Sequence, residues 1–60
     1  MSKELLDHYQ EKVTVAEKAL YSIIGIDTGD EELNYYLTLS WKKISRANKR
    51  LNELRKTIIQ

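Results

Sequence analysis

One short break decides what this chain can fold into. Both of its glycines and two of its aspartates fall in Gly25-Ile26-Asp27-Thr28-Gly29-Asp30, and the remaining residues contain no glycine and no proline. Such residues punctuate secondary structure because glycine reaches backbone conformations closed to other residues and aspartate competes for backbone hydrogen bonds. The chain therefore reads as two uninterrupted segments joined by one loop. Upstream, Leu6, Tyr9, Val13, Ala16, Leu20 and Ile23 recur at alternating spacings of three and four. That rhythm holds them on one stripe of an α-helix and on neither face of a strand. Downstream, Leu33, Leu37, Ser40, Ile44, Ala47, Leu51, Leu54 and Ile58 repeat it over almost four heptads.

Local chemistry sets the boundaries. Ser2 can accept from the first free backbone amides, with Glu4 and Asp7 placing negative charge at the positive end of the dipole. Helix one is expected over about 2–24. Gly25 is expected to close it in the left-handed conformation, with Ile26 folding back on Tyr21. Thr28-Gly-Asp-Glu31 reads as a capping box in which the threonine oxygen serves the Glu31 amide, while Asp27 and Asp30 compete for the role. A loop over about 25–29 then leads into helix two over about 30–57. Thr14, between two valines, is the weakest point of helix one.

The fold class that follows is all-α: one domain over 1–60, an antiparallel helical hairpin dimerising into a four-helix bundle. Two helices cannot enclose a core, because each seam touches its partner on one side and stays wet on the other. Leu5, Ala19, Ile24, Tyr36 and Trp41 need another covering surface. The expected self-association core is Leu6, Tyr9, Val13, Leu20, Ile23, Leu37, Trp41, Ile44, Leu51, Leu54 and Ile58. Small residues at Ala16, Ser40 and Ala47 alternate with larger ones, so layers from two hairpins interdigitate. In length, loop position and this layer alternation the chain resembles the Rop type of hairpin dimer, a likeness of architecture that implies no function.

Catalytic chemistry is sparse. The 60 residues include one histidine and no cysteine, and no glycine-rich phosphate loop is present, so the chain is expected not to be an enzyme. His8 and Glu11 have a spacing that metal-binding helices use, but the stripe places both outward, and neither metal nor cofactor is expected. The longest mainly apolar run, Ala19 to Ile26, is far shorter than the roughly 20 residues a bilayer demands. No membrane partner and a cytoplasmic location are the corresponding expectations.

Charge is the most specific polar feature. Residues 1–40 carry three basic and eight acidic side chains, whereas residues 41–60 carry seven basic and one acidic. Lys42, Arg46 and Lys49 follow helical spacing on the outward stripe of helix two, bordered by Tyr35 and Leu39 one turn earlier. An apolar spot beside a cationic stripe has the composition of an interface edge, so these five residues are the expected partner-binding group. The competing structural explanation pairs these cations with Glu4, Asp7 and Glu11 across the hairpin. The function expected from this layout is a small interaction protein of bacterial or phage type, a regulator, adaptor or inhibitor that binds itself and an unidentified second protein. The alternative is nucleic-acid binding by the basic stripe. In its hairpin outline and its Lys42–Lys56 periodicity the chain resembles a helical-hairpin ribosomal protein, which implies binding to ribosomal RNA, although the formal charge of +1 departs from that pattern.

Overall fold

The computed structural model describes residues 2–59. Among them it contains two helices, α1 over Lys3–Ile24 and α2 over Glu31–Ile59, and no strand. The helices pack against each other as an antiparallel hairpin measuring 47 × 14 × 14 Å.

Local interactions fix both ends of the loop. Ser2 is the N-cap of α1, its hydroxyl accepting from the Leu5 amide at 3.2 Å. Gly25 does not take the expected left-handed conformation: its φ is −83°, and the turn is closed by the Ile26 amide donating to Ile23 O at 3.1 Å. The positive φ falls instead on Gly29, at 84°. The Thr28 capping box gives way to Asp30, whose carboxylate accepts from the Leu33 amide at 2.9 Å. Thr28 acts one step earlier, accepting from the Asp30 amide and donating its hydroxyl to Asn34 Oδ1 at 2.7 Å. Asp27 Oδ1 gathers the Gly29 amide at 2.9 Å and the Asn34 side-chain amide at 2.8 Å. These contacts hold the Asp27 carboxyl below its usual range, the Gly29 amide being the larger cause and Asn34 the second. Asn34 thus ties the loop to the first turn of α2, which runs two residues beyond the expected end near 57.

The contact between helices uses one edge of the expected seam, with Leu6, Val13, Leu20, Leu37, Ile44 and Leu51 taking part in it. Leu6, at 0% relative exposure, is the one fully buried side chain among the described residues. Half-buried residues trace the rest of the contact: Gln10, Val13, Thr14, Glu17, Leu20 and Ile24 on α1, facing Asn34, Leu37, Thr38, Trp41, Ile44, Ser45, Asn48, Leu51 and Arg55 on α2. Trp41 and Ile24, expected to need an external cover, are partly covered within the hairpin itself. Tyr9, Ile23, Leu33 and Ile58 stand 47%, 40%, 46% and 41% exposed, and Ser40 and Ala47 are exposed as well. At 100° per residue, the apolar stripe of each helix is turned roughly 70° away from the direction of the other helix.

A polar ladder occupies the place that the rotated stripes leave. Arg55 Nη2 meets Asp7 Oδ1 at 2.9 Å, and its guanidinium also donates to Gln10 Oε1. Gln10 Nε2 donates to Asn52 Oδ1. One turn further, Asn48 Nδ2 donates to Glu17 Oε1 at 3.1 Å and approaches Thr14 Oγ1 at 3.4 Å. These groups join residues 31 to 48 positions apart and fix which turn of α1 lies beside which turn of α2.

Candidate interaction surface

The two rotations have one geometric consequence. Because the helices run antiparallel, a turn of each stripe in the same angular sense brings both to the same side of the hairpin. The molecule therefore has a dry flank and a polar flank. The dry flank carries Leu5, Tyr9, Ala16 and Ile23 from α1 and Leu33, Tyr36, Ala47 and Ile58 from α2. Its large members remain 40 to 52% exposed. Single exposed apolar side chains are ordinary on protein surfaces; here they recur along one side of two adjoining helices, with exposed Ser40 and Lys43 between Tyr36 and Ala47.

The accessible surface is 4833 Å², whereas a compact monomer of 7.1 kDa would expose about 4,100 Å². The excess, about 700 Å², goes with the elongated shape, which leaves much of both helices uncovered. The Cα radius of gyration agrees, at 14.0 Å against about 10 Å for a compact domain of this length.

The polar flank is partly satisfied. Asn48 Oδ1 and Arg55 Nε are buried without a hydrogen-bond partner. The Glu17 carboxyl is held below its usual range by the Ser45 hydroxyl first and the Asn48 amide second. Ser45 Oγ makes no hydrogen bond of standard geometry, so its effect is that of a nearby dipole. Above this ladder the rings of Tyr21 and Trp41 lie 5.9 Å apart at 47°. With Glu17 and Lys18 they line a shallow, open cleft of about 270 Å³. Tyr21 lies outside the apolar stripe of helix one, and no periodicity could show that it would lean on Trp41.

The partner-binding group expected from the sequence lies on the side of α2 turned away from α1. Tyr35 is 62% exposed, its ring edge-on to Tyr36 at 5.6 Å, and Leu39 is half-buried beside it. Lys42, Arg46 and Lys49 are exposed and make no ion pair among the described residues. Among the described residues, cross-hairpin neutralisation of the basic half comes down to one contact, Arg55 with Asp7, while Arg50 pairs within α2 to Glu53 at 3.2 Å. Glu4 and Glu11 take no part in these pairs. The structure thus does not bring the outward cations together with helix one. His8 and Glu11 are both exposed, as the stripe placed them. Among the described residues no three His, Asp or Glu side chains cluster as a metal site, and no helix is long and apolar enough to cross a membrane.

No protein-family model matches the chain, and no curated protein or solved structure matches it significantly.

Proposed function

We propose that the chain is a non-enzymatic protein–protein interaction module, a cytoplasmic regulator, adaptor or inhibitor of bacterial or phage type. It pairs with a second copy through the dry flank to make a four-helix bundle, and docks on another protein through Tyr35, Leu39, Lys42, Arg46 and Lys49. The observation that carries this reading is that only one edge of each apolar stripe meets the other helix, which leaves one fully buried side chain among the described residues and exposed apolar residues along the other edge. A chain of 60 residues with so little interior gains most from covering that edge. With the dry flank in the bundle, the outward side of α2 stays accessible, an aromatic anchor beside cations that make no ion pair among the described residues.

The test of the outer surface is the double variant Tyr35→Ala, Leu39→Ala. It is expected to abolish capture of the partner protein from the native host while circular dichroism and sedimentation stay unchanged. Capture at the wild-type level would remove this surface from the account, and loss of helicity would assign both residues to the interior.

A second reading is favoured by the absence of ion pairs at Lys42, Arg46 and Lys49 among the described residues: the stripe binds nucleic-acid phosphates. Affinity for duplex DNA or RNA would then fall steeply as salt rises from about 50 to 200 mM, and substituting the three cations together would flatten that slope. No measurable binding at the lower salt excludes it.

A further inference from the structure

Resting on the self-association reading above, we infer that the second copy covers the dry flank with its loop at the opposite end of the bundle. The flank alone leaves two orientations open. Its narrow waist, at Ala16 and Ala47, lies near the middle of the hairpin and meets its own counterpart whichever way the second copy points. The distribution of charge along the rod separates the two.

Residues 19–44, the half nearest the loop, carry four acidic and two basic side chains, net −2. Residues 2–18 and 45–59, the half at the chain ends, carry five acidic and eight basic, net +3. The contrast is sharpest at the loop tip, where Asp27, Asp30, Glu31 and Glu32 stand exposed with no cation paired to them among the described residues. Loops at the same end would gather eight of these carboxylates around one end of the bundle, and place the two positive halves together at the other. Loops at opposite ends set each acidic tip beside the half of its partner that carries Lys49, Arg50, Arg55 and Lys56. On a hairpin 47 Å long, the two acidic tips are then separated by several Debye lengths of about 8 Å at physiological salt. Like charges in contact disfavour one arrangement and opposite charges favour the other, which is how charge selects orientation when apolar packing is indifferent.

The chain contains no cysteine, so a single introduced thiol can carry a nitroxide label without competition. Ile26→Cys labels the exposed loop and Thr57→Cys labels the other end. For each variant, sedimentation equilibrium establishes the mass and pulsed electron–electron resonance the distance between labels. Opposite-end loops predict roughly 30 to 40 Å at both positions, from the rise of about 1.5 Å per residue. Same-end loops predict less than about 20 Å at both, from an interaxial spacing of about 8–10 Å. A dimer with the short distances overturns the orientation and leaves self-association standing. A monomeric mass overturns self-association and the orientation with it. If either label unfolds the hairpin, the other position decides, and unlabelled protein gives an independent sign: the dimer should tighten several-fold as salt falls from about 500 to 50 mM. Weakening over that range contradicts the proposed arrangement.

Discussion

Ile23→Ala is the most informative single change on the dry flank. In the hairpin the Ile23 side chain is 40% exposed. Burying a whole isoleucine side chain contributes about 1.5–3 kcal/mol, so covering the remaining two-fifths is worth about 0.6–1.2 kcal/mol per protomer. A symmetric dimer loses that contribution twice, about 1.2–2.4 kcal/mol, which weakens its dissociation constant roughly 8- to 60-fold. Helix propensity acts in the opposite direction, since alanine is the better helix former by a few tenths of a kcal/mol. A flank that stayed in water would therefore show no loss of association at all. Sedimentation equilibrium over a concentration series reads the dissociation constant directly, and circular dichroism at low concentration separates any effect inside the protomer. A change smaller than about threefold would refute the assignment of Ile23 to an interface, because even the lower bound of the burial estimate exceeds it.

The two glycines should respond in opposite ways: Gly29→Ala costs about 1 kcal/mol, because its φ of 84° suits glycine alone, while Gly25→Ala is neutral or stabilising by about 0.4–1 kcal/mol at a φ of −83° with open space around the new Cβ. Thermal melts of the two variants side by side check this. Leu6→Ala, which removes the fully buried side chain, should cost about 2–5 kcal/mol and leave little cooperative melting. Glu17 has a lowered pKa in the folded chain, so its contribution to stability is complete above the unfolded value of about 4.3 and disappears as pH falls through the folded value. A carboxyl titration by NMR should show Glu17 protonating later than an unperturbed glutamate on acidification, and Asn48→Leu should move it back toward the ordinary range.

The helices were legible because what makes them is local. The three-four rhythm and the breakers at residues 25–30 locate both elements, and Ser2 caps the first as its chemistry requires. The loop was harder to read, since Thr28 and Asp30 both have the right oxygen and a side chain four residues beyond the cap decides between them: Asn34 occupies Thr28, leaving Asp30 to serve Leu33. The same limit applied to Gly25 and Gly29, either of which tolerates a positive φ. Least visible was the azimuth of the contact. Periodicity reports that Tyr9, Ile23, Leu33 and Ile58 share a stripe with Leu6 and Leu51, but a stripe this wide has two edges, and only one meets the other helix. The choice is made by Asp7 with Arg55 and by Asn48 with Glu17, pairs that are far apart in sequence and have no periodic signature. The outward side of α2 was readable because exposure of Tyr35, Lys42, Arg46 and Lys49 depends only on which way α2 faces.

The most direct test of the account is the mass of the unmodified chain in solution at micromolar concentration. Coverage of the dry flank by a second copy predicts about 14 kDa, twice the 7.1 kDa of the chain, with dissociation and loss of helix occurring together on dilution. A 7.1 kDa species that keeps its full helicity and melts cooperatively at every concentration would contradict it.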